Sequence, residues 1–295
     1  MDEGFALLTD PEHCGNCFRR CLPGQTCARG QCVASCGPPS GTCVGEAECR
    51  DGRCCAGAVC SSPSLPVTAG IVTMGCDPET PGCLPNATPA HLVQLDAFVI
   101  DAYEVRLSEL LACRDAGGCV APLDAPGCAA AAPEERGDAP ADCLSWEEAD
   151  AFCRYVGKRL CTEAQWERAA RGDDDRPFPW GGDQPTCALA VFAEGGPGCG
   201  SGATSEVTSH PEGAGPFGAL HQAGNASEWV ADDFHAGYAG APLDGSAWIG
   251  EPRSEHRVIR GGSFSSSPEG LFNWLRQAGR AGDVRTPGLG FRCCR

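Results

Sequence analysis

Sulfur is the first candidate for chemistry in this chain. Of its 295 residues, 23 are cysteine, and a cysteine can ligate a soft metal as thiolate, carry electrons, or staple a loop once oxidised. Cys14-Gly-Asn-Cys17 has the spacing of half a zinc site, but no second pair repeats it, and thiolate zinc belongs to reducing compartments. Disulfides are the expectation. The other ligating types are less organised. Histidines stand at 13, 91, 210, 221, 235 and 256 without the i,i+4 pairing that builds a metal site on one helix; His221 and His235, flanking Glu228, come nearest to a constellation and read as loop histidines. Asp173-Asp174-Asp175, before Arg176 and Pro177, reads as solvated loop charge. Asn86-Ala-Thr88 and Asn225-Ala-Ser227 match glycosylation acceptors, a pattern common by chance.

The elements that must position such residues are clearest between Ser145 and Trp180. Ser145 with Glu148 forms a capping box, Trp146, Ala149, Cys153 and Val156 share one face, and Gly157 supplies a left-handed stop. Thr162 with Gln165 repeats the device for a second helix through Trp166, Ala169 and Ala170, ended by Gly172 and barred from resuming by Pro177 and Pro179. Residues 104–112 read as a further helix along Val105, Leu107, Leu110 and Leu111. The imperfect alternation around Leu92 to Val99 predicts a strand covered on both sides. Between Cys113 and Cys143 the chain is Ala-, Pro- and Gly-rich and is expected to be irregular.

Residues 14–60 contain a repeat: Cys14, Cys21, Cys27 and Cys32 recur 22 positions later as Cys36, Cys43, Cys49 and Cys54. Residues 1–60 are therefore expected to form a Cys-rich module too small to fold on a hydrophobic core and stapled by sulfur, with its connectivity open. Ser61 to Ala69 reads as a linker, and 70–295 as the main domain. There, Cys76 with Cys83, Cys113 with Cys119, Cys128 with Cys143, and Cys187 with Cys199 can each clip a short loop. A formal charge of −17 argues against nucleic acid or an anionic membrane surface as partner, and no apolar run is long enough to span a bilayer. Cysteine usage points to an extracytoplasmic, secreted or cell-surface protein; since Met1-Asp-Glu-Gly-Phe is not a signal peptide, further sequence is expected upstream.

The words GKRL, TEAQWERAARG and PWG, together with GIVTMG (70–75), FVIDAYEV (98–105), FGALHQAGNASEW (217–229) and RVIRGGSF...GLGFRC (257–293), resemble the sulfatase-modifying-factor family, the formylglycine-generating-enzyme domain. The resemblance implies an α+β, irregular and loop-rich fold of C-type-lectin-like type over 70–295. It also implies a bridge between Cys153 and Cys293, with Cys161 and Cys294 left beside it to pair. A second family bridge is missing at both ends, where Ala170 and Arg276 stand.

Family enzymes oxidise a substrate cysteine with copper(I) held by two thiolates in G-G-S-[YF]-x-C-x4-C, and soft ligands suit a soft ion. Here Ser266 and Leu271 occupy those places, so copper and the formylglycine-generating oxidase activity are not expected. The family also carries structural Ca²⁺ at GN-x-W-E-W, which would fall to the carbonyls of Gly224 and Ala226 and the carboxylate of Glu228; His221 and Ser227 depart from that pattern. The leading expectation is an exported, non-copper binding or recognition member, a pseudoenzyme. Ser263, Ser265, Ser266, Asn273 and Trp274 would line the open cleft, offering hydroxyls, an amide and an aromatic face to a peptide or carbohydrate. The alternative is an oxidase using a different metal in the same cleft.

Overall fold

The computed structural model describes residues 59–120, 122 and 124–295 in full. Before these it describes the strand segments 25–28, 31–34, 48–50 and 53–56. In that part the repeat is visible in the backbone register, where Cys27 lies opposite Cys32 and Cys49 opposite Cys54 in two antiparallel ladders. Cys55 and Cys60 are bonded to each other. How the cysteines of residues 14–54 are bonded, left open by the sequence, lies outside the described residues.

The chain then forms strands β1 (Ser64–Val67), β2 (Gly70–Met74), β3 (His91–Leu95) and β4 (Phe98–Asp101), and helices α1 (Leu107–Asp115) and α2 (Pro133–Arg136). Helix α3 (Trp146–Tyr155), strand β5 (Arg159–Leu160) and helix α4 (Glu163–Arg171) follow. Strands β6 (Ser227–Asp233), β7 (His256–Arg260), β8 (Arg276–Arg280), β9 (Leu289–Phe291) and β10 (Cys293–Cys294) complete it. Two four-stranded sheets, β5-β10-β4-β1 and β8-β7-β6-β9, and the hairpin β2-β3 carry the architecture. Only the β6–β9 contact in these sheets is parallel.

Ser64–Val67 corrects the linker expectation. Proline there sits on the edge strand β1, which pairs with β4 from Ser64 opposite Asp101 to Val67 opposite Phe98, and Val67 is fully buried. An edge strand tolerates the missing N–H of Pro66, so a Ser- and Pro-rich composition did not exclude sheet. Strand β3 is covered on one side only, with Val93 and Leu95 buried and Leu92 62% exposed. Helix α1 begins later than expected because residues 104 and 105 are held extended: Val105 N–H donates to Phe291 O and Val105 O accepts from Ala141 N–H.

Both capping boxes form, with Glu148 N–H donating to Ser145 Oγ and Gln165 N–H to Thr162 Oγ1. Helix α4 is buried along all nine residues although five of them are Glu, Gln or Arg. An ionised group away from water is tolerated only when paired, so this helix dictates an ion network around itself. Its Trp166 anchors one apolar cluster with Val93, Phe98 and Val258, while Phe152, Trp229 and Phe291 centre a second under α3. The long tie expected from α3 to the final strand is present as Cys153–Cys293, with Cys161–Cys294 beside it. The four short clips form as expected.

Candidate functional site

The segment after β7 makes a tight turn on Gly261 (φ 89°) and Gly262 (φ 66°). A side chain at Gly262 would bring its Cβ to 2.4 Å from Gly270 O, so glycine is required there. The turn is gripped from outside by the 224–226 backbone, where Gly224 N–H donates to Gly261 O and Phe264 N–H to Asn225 O. Beyond the turn the serines bond to one another: Ser263 N–H donates to Ser266 Oγ at 2.9 Å, and the hydroxyls of Ser263 and Ser265 lie 3.0 Å apart. Ser265 is exposed and Ser266 half-buried. Leu271 ends a short 3-10 helix and is fully buried among Phe178, Ala190, Phe192 and Ala223.

Asn273 and Trp274 do not join the serines at the surface. The Asn273 amide donates to the carbonyls of Ala170 and Arg176, and Trp274 is packed under Arg171. Trp274 is instead the inner end of a ladder of four near-parallel rings, running through Phe272 and Phe178 to Trp180 at centroid spacings of 4.8, 5.0 and 5.2 Å. Phe272 and Trp180 are half-exposed, so the aromatic faces of this ladder left at the surface are theirs. The sequence pattern singled out neither; for Trp180 the proline-punctuated PFPW was an available signal, and for Phe272 there was none.

Beneath this surface lies the ion network demanded by α4. Arg260 donates to Glu163 at 2.8 Å, to Glu167 at 2.6 Å and to Asn273 O at 2.6 Å, so the network fixes the backbone of the cleft wall. Burial works to raise Glu163, but Arg276 and Arg260 outweigh it and hold the carboxyl below its usual range.

Of the residues expected to hold calcium, Glu228 is engaged by protein groups. Glu228 is fully buried and gives both oxygens to Arg292, at 2.7 to 3.0 Å, and Oε2 also to Trp166 Nε1 at 2.8 Å. A carboxylate saturated by a guanidinium offers a cation no oxygen and places a positive charge beside it. Gly224 N–H serves the turn, and Ala226 N–H faces Glu104 Oε1. Glu104 Oε2 is buried without a hydrogen-bond partner. Burial, with Glu228 nearby, pushes the Glu104 carboxyl up to about 8 against the opposing pull of Arg292, so it is protonated at neutral pH. His221 and His235 do not converge on Glu228: His221 meets Ser209 Oγ at 3.3 Å and His235 stacks on Trp248.

The sulfatase-modifying factor enzyme 1-like domain matches residues 61–295. The chain belongs to the sulfatase-modifying factor family. Within it, the chain is 29% identical to the formylglycine-generating enzyme of Bos taurus over 281 residues, covering 78% of this chain and 73% of that protein. It is 28% identical to the hercynine oxygenase of Mycolicibacterium smegmatis over 239 residues, or 70% of this chain, and spans 55% of that protein's length. Among solved structures, PvdO from Pseudomonas aeruginosa aligns with a TM-score of 0.70 and 31% identity over 81% of this chain and 95% of that one. Treponema denticola variable protein 1 shares the fold, with a TM-score of 0.60 and 22% identity over 82% of this chain and 97% of that one. For this family member, the residues present do not fit a two-thiolate copper ion: Ser266 offers a hard hydroxyl already bonded to Ser263, Leu271 offers no ligand, and all twelve cysteines from Cys76 to Cys294 are bridged.

Proposed function

We propose that this chain is an extracytoplasmic recognition member of the sulfatase-modifying factor family, which holds a carbohydrate or an extended peptide in the family's cleft and does not oxidise thiols. The observation that carries the reading is the fate of the two positions matching the copper thiolates: one is a serine engaged in a turn and the other a leucine committed to the apolar core. What remains at the surface is Ser265, Ser266 and the half-exposed rings of Phe272 and Trp180. Hydroxyls beside aromatic faces hold ligands by hydrogen bonding and stacking. The bridged cysteines support an oxidising compartment, and no helix among the described residues is long and apolar enough to cross a membrane. Structural calcium has no part in this reading, because Glu228 is committed to Arg292.

Metal analysis of protein secreted into an oxidising compartment and then exposed to copper(I) tests it. Copper and iron well below one per chain are expected. A stoichiometric redox metal that is lost on replacing Ser266 with alanine overturns the reading and establishes the oxidase alternative.

A further inference from the structure

A concave site lies away from the serine turn. A cavity of about 560 Å³ opens where α3, β5, the 95–98 turn and the 244–249 loop meet, and none of residues 263–274 lines it. Its volume lies in the range of small-molecule sites. Apolar surface comes from Ala97, Ala231, Ala247 and Ile249. Charge comes chiefly from arginine, in a chain whose net charge is −17.

The arginines differ in what they already hold. Arg154 pairs with Asp150 at 2.7 Å and Arg253 with Asp233 at 2.9 Å. Arg159 has no carboxylate within ion-pair distance among the described residues: its Nη1 donates to Gln165 Oε1 at 2.6 Å and to Leu160 O at 3.2 Å, and both acceptors are neutral. These two bonds fix the guanidinium plane at the cavity wall while Nε and Nη2 donate to no described acceptor. Desolvation lowers the Arg159 pKa, with Asp232 pulling the other way, and desolvation lowers that of Arg295, which also lines the cavity. A held guanidinium with donors not engaged by the described protein groups is the fork that takes a carboxylate by paired hydrogen bonds. The acidic lining residues do not compete for it: Asp150 is held by Arg154, Asp244 accepts from Ser246, and Asp96 is exposed.

We propose that this cavity is a second ligand site, which binds an organic carboxylate with an apolar body, the carboxylate on Arg159 and the body against Ala231, Ala247 and Ile249. The site stands apart from the cleft and does not depend on the reading of the cleft. Such an acid is either a free small molecule or the carboxyl end of a polypeptide.

The test is calorimetric titration of the intact chain with N-acetylphenylalanine, with its amide, and with a longer peptide ending in phenylalanine. The acid is expected to bind saturably and the amide roughly tenfold more weakly, the discrimination that a charge-assisted pair provides. Arg159→Gln should bring the acid down to the level of the amide and leave the amide unchanged. Ala247→Phe, which fills the cavity without touching the guanidinium, should abolish both. Arg159 is exposed on the short edge strand β5, so its replacement leaves the core intact, and an unchanged thermal midpoint verifies this. Binding of the peptide as tightly as the small acid assigns the site to polypeptide ends, and its exclusion assigns the site to free acids. Equal affinity for acid and amide, no saturable binding of either, or indifference to Arg159→Gln overturns the proposal.

Discussion

Arg276 grips Glu163 with two hydrogen bonds, Nε to Oε1 at 2.8 Å and Nη2 to Oε2 at 2.7 Å, and so ties β8 to the buried helix α4. Ala170 on the same helix and Arg276 are the positions at which family resemblance implies a second disulfide. The cross-link survives in kind while its chemistry changes from covalent to ionic. Tyr238 Oη and Arg260 also donate to Glu163, so the acid is shared by three elements.

Replacing Arg276 with alanine should therefore cost about 3–5 kcal/mol, since it leaves a buried carboxylate short of its bidentate partner. Equilibrium denaturation measures this. A loss below about 1 kcal/mol, the range of an exposed pair, would show that Arg260 and Tyr238 suffice.

The two long bridges should not be additive. Cys153–Cys293 and Cys161–Cys294 close nearly the same loop, of 140 and 133 residues. With one in place, the other closes only the short circuit between neighbouring ends. By the chain-entropy model, Cys153→Ser with Cys293→Ser should cost about 3 kcal/mol, and removing the second bridge as well about 5 kcal/mol more. Equal increments for the first and the second removal in denaturant titrations would contradict the arrangement.

These bridges, both capping boxes and the family's fold were legible in the sequence because each rests on local spacing or on an ordered set of motifs. The cleft was only half legible. Ser265 and Ser266 remain at the surface, but Asn273 and Trp274 turn inward because α4 needs the carbonyl of Asn273 for Arg260 and the ring of Trp274 for Arg171. The partner of Glu228 was not legible either: the guanidinium that meets this buried acid arrives from residue 292. Pairings across such distances leave no periodicity to read.

Glu104 gives a pH signature. Its carboxyl, raised to about 8 when folded, binds a proton more tightly folded than unfolded. Its proton therefore favours the fold fully below the ordinary Glu range near 4.3, and that contribution is lost as pH rises towards about 8. Glu104→Gln, which is neutral throughout, should match the parent near pH 4 to 5. It should become the more stable of the two by on the order of a few kcal/mol towards pH 8 to 9. A pH-independent difference between the two unfolding curves would contradict the raised pKa.

Lys158 is the chain's only lysine, and it is buried with its ammonium on Asp101, Ser64 and Ser62 O. An amine-reactive ester should leave this side chain unmodified in the native protein and acylate it once the chain is denatured. Rapid native labelling at Lys158, read by peptide mass, would show that the junction of β1 with β4 opens.

The central claim is that a sulfatase-modifying factor domain here retains the cleft without the thiol chemistry. The most direct measurement incubates the intact chain with copper(I), oxygen and a cysteine-containing sulfatase-type peptide and follows the peptide by mass. With Ser266 and Leu271 at the thiolate positions, the account predicts an unmodified peptide; conversion of its cysteine to the aldehyde would contradict it.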